Sequence, residues 1–404
     1  MSTTKAALQH LFDELAAIGH TSHGMNRIAF TPPENQAFEF ISKILDQHGI
    51  AHRSDGFGNL IARIHGEKNR PAVATGSHLD SVPDGGCYDG AVGVIAGLYA
   101  LIELQKEALN HPLELIIFRA EESSRFGHSC MASKLMTGQA DLNKWRETRG
   151  SDGKNIFDAL RDNGFDPDQL DQVRINPADY KSFIECHIEQ GRVLLDNHLS
   201  LGVVSAIAAP TRFLIEINGI ADHSGATPMG LRHDALVAAS QVVTRVNTIA
   251  QREALHGTVG TVGRMEVSPN AMNVIPGKVV MSIDIRGIDT GSIQRTTHDL
   301  LTFVSELEGV SVFITRLSEE KPVHLNNDIA ELLNQSCLEE SIPAMPMQSG
   351  AGHDAMYMAR EIPTAMLFVP SVNGVSHNPE EFTPFDDIWN AARVLKRTMR
   401  KLAA

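Results

Sequence analysis

Residues 71–78 read PAVATGSH and residues 113–119 read LELIIFR, two short apolar runs that each lead into polar side chains. Between them, residues 90–104 read GAVGVIAGLYALIEL, a small-residue-rich stretch that predicts a helix. Residues 182–186, SFIEC, and 364–369, TAMLFV, repeat the strand pattern further along the chain. Continuous apolar strands alternating with helices predict an α/β fold around a mostly parallel sheet, since strands covered on both faces show no polar alternation. Ligands of such sheets gather beyond the carboxyl ends of the strands. His78, the pair Glu121–Glu122 and His187 all stand at such ends.

Outward from this frame the pattern changes. In residues 211–218, Phe213, Ile215 and Ile217 alternate with Leu214, Glu216 and Asn218, and residues 278–286 alternate in the same way. Period-two patterning predicts strands with one packed face and one more polar face. Helical stretches near 233–250 and 291–307 accompany them. The expected organisation is a main domain over 1–208 and 325–404, with an inserted α+β domain over 209–324. Leu8, Phe12, Leu15 and Ile18 recur at helical spacing, which predicts an amphipathic N-terminal helix rather than a secretory leader. The polar stretch 137–180 reads as an excursion on the main domain.

Composition narrows the function classes. The chain has 404 residues and a formal net charge of −14, which argues against a nucleic-acid surface. No apolar stretch approaches the roughly 18 residues that suggest a membrane span. Cys87, Cys130, Cys186 and Cys337 are widely spaced and form no CxxC pair. They are expected to be thiols of a cytoplasmic protein.

The polar residues at the strand ends and in Gly-rich turns are of metal-ligand type: His78 in GSHLDS, Asp89 in CYDGAVG, Glu121 and Glu122 in RAEESSRFG, His187 in ECHIEQG and His377 in NGVSHNPEE. Each alone has a plainer explanation, as a hydrogen-bonded histidine, a solvated acidic pair or a helix cap. Together they point to a metal. The HxD spacing allows Asp80 to bond the second nitrogen of His78, as in the outer shell of a bound imidazole. Two carboxylates leaving a buried strand are costly unless a cation lies between them and the histidines.

HxD, YDGAVGV, AEE with RFG, HIEQG, GAGHDA and NGVSHNPEE, in that order, resemble the hydantoinase/carbamoylase branch of the dinuclear metallopeptidase-like amidohydrolases. The resemblance runs from about residue 10 to the C-terminus. It implies two divalent metals, Zn²⁺, Mn²⁺ or Co²⁺, one held by His78, Asp89 and His187 and the other by Asp89, Glu122 and His377. Glu121 would be the general base, with His223 donating to the carbonyl oxygen as a second catalytic residue. Gln190, Asn273, Arg286, His353 and the backbone around Gly350, Ala351 and Gly352 would bind substrate, although Arg286 could also simply pair with Asp284 or Glu216. The inserted domain would act as a lid and pair two subunits into a homodimer. The implied activity is hydrolysis of N-carbamoyl-L-amino acids, with allantoate or ureidoglycolate as the alternative ureido carboxylates. A dipeptidase or N-acyl-amino-acid hydrolase fits less well, because His187 stands where such enzymes usually carry a carboxylate. The intact Glu121 and ligand set speak against a scaffold that has lost catalysis.

Overall fold

The protein is described here by a computed structural model covering residues 4–66 and 70–404. The chain divides into two compact units, Met1–Ser205 with Leu325–Ala404, and Ala206–His324.

The first unit is built on a nine-stranded sheet. Its four central strands, Thr364–Val369, Tyr180–Ile188, Ala72–His78 and Leu113–Phe118, run parallel in that order. All residues of Ala72–His78, Leu113–Phe118 and Thr364–Val369 are buried, which is why their sequences read as unbroken apolar runs. The α/β fold with its parallel central sheet is thus the one expected. Beyond this core the sheet turns antiparallel: Leu60–Ile64 and Ala51–Ser54 extend one side, and Leu201–Ile207 the other.

Helix Ala91–Leu104 lies against the sheet with all but one of its side chains buried, and helix Phe385–Ala403 packs beside it through Ile388, Ala391, Ala392, Leu395 and Met399. The N-terminal helix Lys5–Ala17 buries Leu8, Phe12 and Leu15, and its Thr4 cap accepts the Ala7 N–H at 3.2 Å. The excursion over 137–180 is a set of short helices anchored by buried Trp145, Phe157, Leu160 and Leu170. Register sets the functional end of the sheet. His78 lies opposite Phe118 on one neighbour, and Thr75 lies opposite Ile184 on the other. The carboxyl ends of three strands therefore lie side by side.

The second unit is a four-stranded antiparallel sheet in the order Val259–Ser268, Lys278–Gly287, Ala209–Asn218, Ser311–Glu319. Phe213, Ile215, Ile217, Val279, Met281, Ile283 and Ile285 form its packed face, covered by helices Ala235–Glu253 and Thr290–Ser305. Leu214, Glu216, Ser282, Asp284 and Arg286 are only partly buried on the other face. Among the described residues no helix is long and apolar enough to cross a membrane, and all four cysteines are free.

Candidate metal centre

The sheet's carboxyl end gathers three groups of metal-ligand type, His78–Asp89–His187, Asp89–Glu122–His377 and Glu185–His187–His353, of which the first two share Asp89. His78 ends its strand and His187 stands at the penultimate position of the neighbouring one. Asp89 precedes helix Ala91–Leu104, and Gly90 brings that helix start onto His78. A Cβ at Gly90 would lie 2.5 Å from the His78 carbonyl oxygen, and its φ of +64° is one that glycine adopts without penalty. Glu121 and Glu122 follow Ala120, whose φ of +54° turns the chain sharply after the strand. His377 and Gln190 also have left-handed backbones, at φ +55° and +60°. Such conformations cost about 1–2 kcal/mol for a residue bearing a Cβ, and they concentrate where the surrounding structure holds a functional geometry.

The hydrogen bonds assign the protons. Nδ1 of His78 faces the Asp80 carbonyl and Nδ1 of His187 faces the Ile188 carbonyl, both at 3.0 Å. Each Nδ1 therefore donates, and each Nε2 is the nitrogen whose lone pair a cation would take. Those lone pairs both converge on Asp89 Oδ1 at 3.1 Å and stand 3.5 Å from each other. The second carboxylate oxygen, Oδ2, lies 3.4 Å from His377 Nε2, which is 3.1 Å from Glu122 Oε1. Asp89 thus divides its two oxygens between two groups.

A divalent cation fits this donor set. Two imidazole lone pairs and an anionic oxygen crowded together repel unless positive charge lies among them. Their separations match the edges of a tetrahedral site, about 3.3 Å for ligand bonds of about 2.0–2.1 Å. The local field acts in the same sense. Burial alone would depress His187, yet the Asp89 carboxylate raises it to about 9. Hydrogen bonding to Asp89 and Glu122 raises His377 to about 11. Burial opposes ionisation of Asp89, but His187 beside it holds its carboxyl well below the usual range.

Comparison with known proteins identifies the family. The profile of Peptidase family M20/M25/M40 matches residues 74–401. An N-carbamoyl-L-amino-acid amidohydrolase of Pseudomonas sp. (strain NS671) is 35% identical, covering 99% of both chains. A ureidoglycolate hydrolase of Arabidopsis thaliana is 34% identical over 100% of this chain and 87% of its own. The crystal structure of a hydantoinase/carbamoylase family amidase from Burkholderia multivorans superimposes with a TM-score of 0.93 at 32% identity, covering 100% of this chain and 98% of that one. The chain belongs to the hydantoinase/carbamoylase branch of this family. It is an amidohydrolase, acting on carbon–nitrogen bonds other than peptide bonds.

Around these groups several side chains hold the ligand-type residues in ways the sequence does not disclose. Asp80 does not bond His78 through its carboxylate, which stands 3.6 Å from Nδ1; its backbone carbonyl takes that role. The carboxylate instead accepts the consecutive amides of Glu121 and Glu122, at 3.1 and 2.9 Å. Gln190 donates Nε2 to Asp89 Oδ2 at 2.7 Å. Glu381, the last residue of NPEE, accepts the amides of Tyr88 and Asp89 with Oε1, and Ser376 Oγ and the His377 amide with Oε2. One buried carboxylate therefore ties the Asp89 turn to the His377 loop. Partners of bound ligands typically contribute about 10–100-fold to metal affinity. Glu381→Gln is expected to weaken metal retention by that factor without unfolding the protein, as read by equilibrium competition with a metal indicator.

Glu121 has divided surroundings. Oε1 accepts the Cys130 thiol at 2.9 Å, while Oε2 lies 3.9 Å from His78 Nε2. Burial pushes its carboxyl up to about 7, against the pull of His78. No CxxC or other motif marks Cys130, and only the fold brings its thiol to the glutamate.

The remaining residues expected to meet substrate fall into two places. His353 is buried in the first unit, with Nε2 2.8 Å from Ser349 Oγ and its ring 4.5 Å from that of His187. The backbone of Gly350, Ala351 and Gly352 forms the bend just before it. His223, Asn273 and Arg286 belong to the second unit. His223 Nδ1 accepts the amides of Gly225 and Ala226, so its proton rests on Nε2, and the residue is exposed. Arg286 directs Nε and Nη2 at Asp284, at 3.0–3.2 Å.

Proposed function

We propose that this amidohydrolase hydrolyses the carbamoyl C–N bond of N-carbamoyl-L-amino acids, releasing the amino acid, CO₂ and NH₃. The observation that carries this reading is the division of Asp89 between two ligand groups, with Glu121 Oε2 beside them. His78, Asp89 and His187 would hold one divalent cation, and Asp89, Glu122 and His377 the other, from among Zn²⁺, Mn²⁺ and Co²⁺. When bound, such a pair supplies the positive charge that acidifies a water and polarises a carbonyl. Glu121 takes a proton from the attacking water and delivers it to the leaving nitrogen. Its anchored Oε1 leaves Oε2 for that exchange. The Nε2–H of His223 donates to the carbonyl oxygen as charge builds there. Asn273, Gln190 and His353 orient the ureido group.

Arg286 reads the substrate carboxylate. Its fork engages the Asp284 carboxylate on its own sheet, and a substrate carboxylate would share or replace that partner. Arg286→Ala is expected to lower kcat/KM for N-carbamoyl amino acids by about 10–100-fold, the worth of one or two charged hydrogen bonds. Turnover of the matching amino amides, which lack the carboxylate, should barely change, and metal content should stay the same. Equal losses on acid and amide would show that Arg286 braces its own sheet.

The same reading makes the enzyme a cytoplasmic homodimer. His223 and Asn273 emerge at the Lys278 end of strand Lys278–Gly287, as the short ladder Asp222–His223 with Val274–Ile275 places them. Arg286 stands at the other end, about 26 Å along the strand at about 3.3 Å per residue. One small substrate does not span that length, so the partner subunit's His223 would complete the site that Arg286 serves. Val259 and Phe313 are exposed on the two edge strands of that sheet, and edge strands are ready surfaces for pairing.

Allantoate and ureidoglycolate present the same ureido group beside a carboxylate and are the second reading. A panel of metal-reconstituted assays with N-carbamoyl-L- and D-amino acids, N-carbamoyl-β-alanine, allantoate, ureidoglycolate, N-acetyl amino acids and dipeptides, compared by kcat/KM, separates them. Preference for a dipeptide or an N-acetyl amino acid would overturn the proposal.

A further inference from the structure

At the opposite end of the main sheet from the metal-ligand groups lies a cavity of about 540 Å³, within the usual range of about 300–1,000 Å³ for small-molecule sites. Pro71, Glu114 and Tyr180 line it. These stand at the amino ends of three neighbouring strands, two of which carry His78 and His187 at their other ends, about 20 Å away at about 3.3 Å per residue. The cavity is therefore separate from the amidohydrolase centre.

Its charge is unlike that of the rest of the molecule. Arg53, Arg63, Arg70 and Arg174 line it against Asp55, Glu114 and Asp179, in a chain whose net charge is −14. All three carboxylates already accept hydrogen bonds, Asp179 from the Asn176 side chain at 3.4 Å. Glu114 is nearly fully buried and accepts Arg63 Nη1 at 2.6 Å. Asp55 accepts the amides of Phe57 and Asn59 and the Asn59 side chain, closing its own turn. Arg53 and Arg174 make no ion pair among the described residues.

Of these two guanidiniums, that of Arg174 is also held in place. Arg53 sits on strand Ala51–Ser54, paired with Ile61. Arg174 lies over the backbone of Gly138, whose φ is +71° and where a Cβ would come within 2.8 Å of the guanidinium carbon. The next residue, Ile175, donates its amide to the Met136 carbonyl at 2.8 Å. A glycine that leaves room for a stacked arginine spares part of the ordering cost of binding.

We propose that this cavity binds a small molecule with two or more anionic oxygens, gripped by the planar forks of Arg53 and Arg174. The shared chemistry is the oxyanion, which a phosphate ester or a dicarboxylate would each supply, and both match the arginine fork.

The test is calorimetric titration of the full-length, metal-loaded protein with glycerol phosphate and, separately, with succinate. Saturable binding is expected for one of them, weakened at least about tenfold in Arg53→Gln/Arg174→Gln, in line with the loss of charged hydrogen bonds. The stronger of the two ligands identifies the source. Amidohydrolase turnover and melting temperature of the double variant, measured without added anion, should match the parent and so report an intact fold. No saturable binding of either anion up to about 10 mM, well beyond the range of a functional site, would overturn the proposal. So would binding that survives in the double variant, or binding lost in Arg286→Ala and kept in the double variant, since that would place the anion in the substrate site.

Discussion

Glu121→Gln is expected to lower kcat by about 10²–10⁴-fold, the usual contribution of a general acid–base, while the protein keeps its full metal content. The amide preserves the shape of the side chain, and its oxygen still accepts the Cys130 thiol. What it presents toward His78 is then an NH₂ group, which takes no proton from water. Glu122→Gln changes a residue 3.1 Å from His377 Nε2 and should lower metal occupancy instead. Turnover measured beside elemental analysis of both variants separates the roles. Metal loss in the Glu121 variant alone would mean that the two glutamates have exchanged functions.

The second large effect is that of metal removal. Chelation is expected to abolish activity, and Mn²⁺, Co²⁺ or Zn²⁺ to restore it. Asp89 is common to the His78–Asp89–His187 and Asp89–Glu122–His377 groups, so Asp89→Ala should lose both ions. His187→Ala and His377→Ala should each lose one. Elemental analysis after gel filtration counts the ions retained. Full activity in protein shown to be metal-free would end the two-metal reading.

Much of the fold could be read from the chain because its central strands are buried on both faces. Such strands are legible as unbroken apolar runs, and ligand-type residues just past them announce the functional end of the sheet. The antiparallel flanking strands carry no such mark, since short apolar runs such as Leu60–Ile64 do not state their direction. The second unit's strands Ala209–Asn218 and Lys278–Gly287 were visible through alternation, which one packed face imposes.

The side-chain partners were harder to read. Glu381 meets the Asp89 amide across 292 positions of sequence, and no local pattern encodes such a contact. The HxD spacing suggested a bond from the Asp80 carboxylate to His78. Backbone geometry gave that bond to the carbonyl and left the carboxylate to Glu121 and Glu122, a choice decided by a few tenths of an ångström. Cys130 reads as an ordinary buried thiol, and only the fold places it against Glu121.

The strands that lead into and out of the second unit are hydrogen-bonded partners, Ile207 opposite Val323 and Ala206 opposite His324. Neighbouring strands stand about 4.8 Å apart, so the whole stretch between them springs from two adjacent points on the sheet. A tight turn could close that gap without disturbing the register of the strands that carry His78 and His187. Insertions or deletions between those two points can therefore be absorbed within the second unit, while the strands that carry His78 and His187 keep their pairing.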